Sequence, residues 1–340
     1  MKTPNSLRSF AVAALAVWGM SSAPADAVDY CSATAEVQRQ ACRAEALDDF
    51  RSGKAVCMTL DDLAERQACF AENREGRDEA RALCDEQRTA RGSLCTDLGG
   101  ARYDPSFEPE DFDDDFDDPT NPNPYFPLGI GNRWNLAGGG ETIEIEVRDA
   151  TKLIEGVTCI VVNDRVQVGG RVVEDTDDWF AQARSGDVYY CGEEVKDYEF
   201  FPGDDPAAPE LVSIDGSFKV GRDGDKPGIT FLASPAPGVV YRQEFSAGNA
   251  EDAARVLSVD YGFGKSADLD QLVPQQLAEL LCAGDCVVTH EFSPIEPGKF
   301  GRKYYAPGIG FFLETNPLAG DAVQLVDCNF DARCALLPQP

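Results

Sequence analysis

Twelve cysteines constrain this chain of 340 residues more than any other feature of its sequence. An even and high number of cysteines predicts disulfide bridges in an exported chain, whereas in a cytosolic chain it indicates metal ligands. The N-terminal sequence decides between these two interpretations, because it shows whether the chain carries an export signal.

Residues 1–27 have the pattern of a secretory signal peptide. Lys2 and Arg8 form a positive region, residues 10–20 are apolar, and residues 25–27 form an A-x-A cleavage pattern. The apolar run is shorter than the ~20 residues that a membrane-spanning helix needs. We therefore predict a periplasmic or extracellular protein with no integral membrane segment.

In an exported chain, twelve cysteines can form at most six disulfides. The residues before Cys31 lack the small side chains expected before a lipidated cysteine, so we expect a free protein that begins near residue 28. The cysteines expected to form disulfides are Cys31, Cys42, Cys57, Cys69, Cys84, Cys95, Cys159, Cys191, Cys282, Cys286, Cys328 and Cys334.

Charge and composition exclude several classes of protein. The formal net charge is -30, which makes binding to nucleic acid or to an anionic lipid surface unfavourable. A hydrophobic content of 43% is enough for a folded core. His290 is the only histidine, so most imidazole chemistry is excluded.

Residues 28–100 predict a cysteine-rich module of three helices. Ala, Arg, Glu, Gln and Leu dominate, and the helix breaks are expected at residues 52–54 and 73–76. The six cysteines of this region are separated by 11, 15, 12, 15 and 11 residues. A helical hairpin would pair Cys31 with Cys69 and Cys42 with Cys57, or Cys57 with Cys95 and Cys69 with Cys84. Six cysteines allow 15 connectivities, and the sequence does not select one.

Residues 101–124 form an acidic, proline-rich linker, for which we prefer a stiff, solvated spacer. Calcium is the alternative, because clustered carboxylates in an exported chain suit Ca²⁺. Asp113, Asp115 and Asp117 have the spacing of the first EF-hand ligands, but Asp118 stands where that loop needs glycine.

Residues 125–340 predict a mainly β fold, either an antiparallel sheet shaped as a half-barrel or a sandwich. Residues 141–147 alternate strictly between polar and apolar side chains, and turn signals recur about every ten residues. One short helix is predicted near residues 274–283. We expect Cys282 to pair with Cys286, Cys328 with Cys334, and Cys159 with Cys191 on neighbouring strands.

Several strings resemble a family of exported bacterial proteins without an assigned activity. They are NPYFPL at 123–128, EDTDDWFAQ at 174–182, YRQEF at 241–245 and KYYAPGIG at 303–310, and the resemblance covers roughly residues 121–326. The last string is also similar to segments of periplasmic half-barrels that hold lipids. That likeness implies a curved antiparallel sheet without catalytic residues.

Catalysis is not favoured, but two chemical alternatives remain. Cys282, Cys286 and His290 have a spacing open to zinc, although oxidation of the cysteines would prevent it. The acidic group Glu174, Asp175, Asp177 and Asp178 beside Trp179 suits either calcium or the paired carboxylates of a carbohydrate hydrolase.

The preferred interpretation is a binding protein whose partner is a small apolar or amphiphilic molecule, or another envelope protein. We expect no cofactor apart from Ca²⁺ in the alternative interpretation. The aromatic side chains expected to line the ligand cavity are Tyr189, Tyr190, Tyr304, Tyr305, Phe311, Phe312 and Trp179.

Overall fold

A computed structural model describes residues 28–205 and 207–339. The predicted signal peptide lies outside the described residues. The described part contains the helices α1 (Tyr30–Met58), α2 (Leu63–Leu98) and α3 (Gln275–Leu281). Its strands are β1 (Arg133–Gly138), β2 (Glu141–Ile154), β3 (Val157–Val168), β4 (Arg171–Gln182), β5 (Val188–Glu194), β6 (Asp197–Glu199), β7 (Glu210–Ser213), β8 (Phe218–Lys219), β9 (Lys226–Phe231), β10 (Val240–Arg242), β11 (Glu244–Phe245), β12 (Ala253–Tyr261), β13 (Cys286–Phe292), β14 (Phe300–Ala306), β15 (Gly310–Asn316) and β16 (Asp321–Cys328).

The N-terminal module is a hairpin of two long helices, so the prediction of three helices is wrong. Residues 52–54 continue α1, and residues 73–76 continue α2. Gly53 lies where α2 approaches closely: a Cβ atom there would be 2.4 Å from Oδ1 of Asn73. The Asn73 side chain donates a hydrogen bond of 2.8 Å to the Phe50 carbonyl. Two of the residues expected to break helices, Gly53 and Asn73, therefore lie at the contact between the two helices.

Three disulfides are nested along this hairpin. They join Cys31 to Cys95, Cys42 to Cys84 and Cys57 to Cys69. Neither of the two predicted pairings occurs, because both assumed a third helix. The nested order accounts for the symmetric spacing, since the same number of residues separates successive cysteines on both helices. Few apolar residues of the hairpin are buried, so cross-links replace much of the missing core.

The remainder forms one antiparallel sheet that is nearly closed and barrel-like, which confirms the predicted fold class. Along the sheet the order is β10, β12 to β16, β1 to β5, β9 and β11. Strands β10 and β11, at the two ends of this order, are separated in the chain only by Gln243. One short segment thus pairs with β12 on one side and β9 on the other. Gly228 permits this approach, since a Cβ there would overlap the Gln243 carbonyl.

Two layers cover the outer side of the sheet. The predicted short helix is confirmed as α3, and its buried Leu277 belongs to the same apolar cluster as Tyr304 and Phe312. Residues 103–118 cover another part of the outer side, where Phe112 and Phe116 are buried. The acidic segment is therefore anchored to the sheet by its phenylalanines and is not a free spacer, although most of its acidic side chains are exposed.

The three disulfides of the sheet region form between the predicted partners. Cys282–Cys286 joins the end of α3 to β13, and Cys328–Cys334 joins β16 to a short C-terminal helical turn. Cys159–Cys191 joins β3 to β5. We predicted that these two strands are neighbours, and this part of the prediction is wrong, because β4 lies between them.

Six disulfides fit an oxidising extracellular or periplasmic environment. Across residues 28–205 and 207–339, the helices lack the combination of length and apolar character that crossing a membrane requires.

Candidate functional site

A cavity of about 320 Å³ lies inside the curved sheet, and we call it the lumen. Its apolar part is lined by Phe126, Leu128, Trp134, Val147, Phe180 and Phe311. Trp134 is held in place by a 2.7 Å hydrogen bond from its indole nitrogen to the Ile309 carbonyl. The Phe180 ring stacks on the Tyr190 ring at a centroid distance of 4.9 Å.

The other part of the lumen is acidic. Six carboxyl groups and one lysine line it: Asp164, Asp178, Glu193, Glu244, Asp252, Glu291 and Lys303. Strand alternation places them there, because every second side chain of a strand points to the same face. Asp164 therefore follows Val162 into the lumen on β3, and Lys303 precedes Tyr305 on β14.

Lys303 and Glu291 form the one cation–carboxylate pair among these lumen groups, with 2.9 Å between Nζ and Oε2. Thr289 and Tyr305 each donate a hydroxyl hydrogen bond of 2.9 Å to Oε1 of Glu291. Burial opposes ionisation of Glu291, but Lys303 and these hydrogen bonds hold its pKa below the usual value. Burial likewise opposes the charge of Lys303, yet Glu291 and Glu314 raise its pKa overall.

The remaining carboxyl groups resist ionisation. Burial raises the pKa of Asp178 to about 7, even though it accepts a hydrogen bond from the Tyr190 hydroxyl. Burial and the nearby Asp178 raise the pKa of Glu193 to about 9. The pKa values of Asp164 and Glu244 are also raised well above their usual values, chiefly by burial. At neutral pH the Glu193 carboxyl is therefore mostly protonated, and Asp178 is near the midpoint of its titration.

Asp164 is the least satisfied of these groups. Its Oδ1 atom is inaccessible to solvent and has no hydrogen-bond partner among the described residues. The Thr230 hydroxyl, which lines the same cavity, is also buried and has no hydrogen-bond partner among the described residues. Buried polar atoms are normally hydrogen-bonded in folded proteins, so two such atoms around one cavity indicate a missing partner.

The structure separates the aromatic residues that the sequence placed in a ligand cavity. Tyr190, Tyr305 and Phe311 line the lumen. The other four side chains lie outside it, against the covering layers, and they are Tyr189, Tyr304, Phe312 and Trp179.

Contacts on the outer side explain these positions. The Tyr189 ring packs against Phe112 with a centroid distance of 5.1 Å. The Tyr304 hydroxyl donates to the Leu269 carbonyl at 2.7 Å. Trp179 is 5% exposed and lies beneath the ammonium group of Lys152. It therefore presents no open platform for a sugar, which removes the aromatic component of the hydrolase interpretation.

The acidic residues predicted to bind calcium do not converge. Asp113 accepts two hydrogen bonds from Thr120, and Asp115 accepts one from the backbone of Asp117. Asp175 and Asp177 lie on the outer face of β4, where both accept from the Asn163 amide.

Glu174 lies on the opposite face of β4, the face that also carries Asp178. Within residues 28–205 and 207–339, no group of His, Cys, Asp and Glu has the geometry of a metal site. Calcium binding through these residues stays a prediction.

The zinc interpretation is wrong, because Cys282 and Cys286 are joined in a disulfide. His290 lies on the outer side of the sheet between the rings of Phe292 and Phe300, at centroid distances of 5.4 and 4.6 Å. Burial, with Arg302 and Arg255, lowers its pKa. This environment is that of a packed histidine.

The sequence interpretation missed most of the lumen's acidic wall. The residues that were not predicted as site residues are Asp164, Glu193, Glu244, Asp252, Glu291 and Lys303. The available signal was the alternation of side chains along a strand, because residues two positions apart share a face. Lys303 thus shares a face with Tyr305, and Glu291 shares one with Thr289. Alternation alone does not reveal which face points inward.

Comparisons of the chain with protein families, with curated proteins and with solved structures find no match. The resemblance to exported bacterial proteins therefore stays a prediction.

Proposed function

We propose that this protein is an exported binding protein, and that its ligand is a small amphiphile with a protonated amine. The lumen supports this through its two unlike halves, an aromatic and aliphatic floor and a wall of carboxyl groups. Its volume is at the lower end of the roughly 300–1,000 Å³ typical of small-molecule sites.

The observation that carries the proposal is the unpartnered Oδ1 atom of Asp164. A ligand ammonium group would supply the missing donor and would stabilise the ionised carboxylate. The Thr230 hydroxyl gives a second polar contact on the same cavity.

Charge favours a cation over an anion. Six carboxyl groups line the lumen against one lysine, and Lys303 is already paired with Glu291. An anionic ligand would face the remaining acids without a free cation. A ligand ammonium would offset the repulsion among these acids, so it would lower their pKa values and release protons when it binds.

The test uses n-octylamine as the probe and 1-octanol as its neutral match, with binding measured by calorimetry. We expect octylamine to bind about 10- to 100-fold more tightly than octanol, because a charge-assisted hydrogen bond contributes roughly 1.5–3 kcal/mol. Because Asp178 has a pKa of about 7, the affinity for octylamine should rise between pH 6 and pH 8.

Variants assign the binding to the lumen. Asp164→Asn and Asp178→Asn should remove most of the preference for octylamine. Asp177→Asn is the matched control, since Asp177 is next to Asp178 but lies on the outer face. Equal binding of octanol and octylamine, or full octylamine affinity in the Asp164→Asn, Asp178→Asn double variant, would contradict the proposal.

A further inference from the structure

A second cavity, of about 670 Å³, lies where the helical hairpin meets the sheet, and we call it the junction cavity. Residues of α1, α2, β9, β10 and β11 and of the segment after α2 line it. Its charged lining consists of Arg91, Arg102, Lys226, Arg242 and Asp104. A basic excess at one cavity contrasts with the net charge of -30 for the whole chain.

Arg242 is the central observation. It is 7% exposed, and its Nε and Nη1 atoms are inaccessible and have no hydrogen-bond partner within the described ranges. Its guanidinium lies 4.6 Å from the centroid of the Phe245 ring and 5.4 Å from that of Tyr103. The rings hold the guanidinium in place without neutralising its charge.

The acidic groups near this cavity are already engaged. Glu251 accepts hydrogen bonds of 2.7 and 2.9 Å from Arg91, and others from Gln38 and the Gly248 backbone. Asp104 is paired with Lys226, with 2.6 Å between Oδ1 and Nζ. Among the residues that the structure describes, Arg242 therefore has no carboxylate bonded directly to it.

Arg91 offers a second donor. Its Nη1 atom is buried and unpartnered, although Nε and Nη2 are bound to Glu251. Two buried guanidinium groups with unused N–H donors thus line one cavity. An isolated charge is costly to bury, and a planar oxyanion matches the donor geometry of arginine.

We propose that the junction cavity binds a small organic carboxylate, whose oxygens accept from Arg242 and Arg91. Its apolar body would pack against Leu98, Ile229 and Phe245, which also line the cavity. These apolar walls favour an organic acid over inorganic phosphate. This site is separate from the lumen and does not depend on the function proposed for it.

The test uses 3-phenylpropionate as the probe, with 3-phenylpropan-1-ol as its neutral match and inorganic phosphate as a second anion. Calorimetry on the unaltered protein should show the acid binding about 10- to 100-fold more tightly than the alcohol. This comparison needs no variant, so it remains decisive even if a variant fails to fold.

Variants then locate the binding. Arg242→Gln should abolish the preference for the acid. Arg255→Gln is the matched control: it removes the same charge at the same interface, where Arg255 pairs with Asp97, but Arg255 does not line the cavity. Asp164→Asn, in the lumen, should leave the affinity for 3-phenylpropionate unchanged.

Each of these results would overturn the proposal: equal binding of acid and alcohol, no binding of either, full affinity in Arg242→Gln, or tighter binding of phosphate than of the acid. Loss of acid binding in Asp164→Asn would also overturn it, because the probe would then occupy the lumen.

Discussion

The helical hairpin docks on the sheet through an ion pair that is almost completely buried. Arg91 is 3% exposed and Glu251 is 0% exposed, and two hydrogen bonds join them. Replacing Glu251 by Gln removes the negative charge and leaves Arg91 uncompensated beside Arg242. Removal of one partner from a buried pair costs about 3–5 kcal/mol, so we expect Glu251→Gln to lower the free energy of unfolding by about that amount.

The double variant Arg91→Met, Glu251→Met should cost less than Glu251→Gln alone. It leaves no unpaired charge from this pair, and apolar side chains of similar volume often replace a buried pair without loss. Asp97→Asn is the control for a surface pair. It breaks the partly exposed contact with Arg255 and should cost at most about 1 kcal/mol.

Urea unfolding provides the measurement, with linear extrapolation to water. Far-UV circular dichroism follows α1 and α2, while the fluorescence of Trp134 and Trp179 follows the sheet. In Glu251→Gln the helical signal should be lost at a lower urea concentration than in the unaltered protein. A cost below about 1 kcal/mol for Glu251→Gln, or a double variant at least as costly as Glu251→Gln, would refute the reasoning.

Two further predictions concern the lumen and the hairpin. Glu193 and Asp178 have raised pKa values, so the folded state binds more protons than the unfolded state. The free energy of unfolding should therefore fall as pH rises through each window between the ordinary and the raised pKa. The window runs from pH 4.5 to about 9 for Glu193 and from pH 3.8 to about 7 for Asp178. Within its window, each group should lower the free energy of unfolding by about 1.4 kcal/mol per pH unit. Glu193→Gln should therefore make the melting temperature depend less steeply on pH between pH 5 and 9. An unchanged pH dependence would contradict this. In the hairpin, Gly76→Ala has open space around the new Cβ and should stabilise by about 1 kcal/mol. Gly53→Ala displaces Asn73 and should be at least about 1 kcal/mol less stable than Gly76→Ala in urea unfolding; equal stability would show that the close approach is unimportant.

Local patterns predicted the elements well where neighbouring residues alone decide the structure. The alternation at residues 141–147 lies within β2, and the short helix predicted near residues 274–283 is α3. Cys282–Cys286 and Cys328–Cys334 were predictable because each closes a short loop. In all these cases the interacting residues are close in the chain.

The errors arose where distant segments meet. Gly53 indicated a helix end, but its role is to admit Asn73 from α2. The acidic segment looked solvated, yet Phe112 finds a buried position against the outer side of the sheet. Such contacts depend on elements far away in the chain, and local propensity contains no information about them.

Tyr304 and Tyr305 illustrate the division for the candidate site. Alternation in the sequence determines that these neighbours point to opposite faces of a strand. Only closure of the sheet decides that Tyr305 reaches the lumen while Tyr304 packs beneath the outer layer. Likewise, the sequence determines a strong excess of acidic residues, but the curvature of the sheet gathers six carboxyl groups around one cavity. The physical reason is that alternation is a property of one strand, whereas inside and outside exist only once many strands have paired around a common interior.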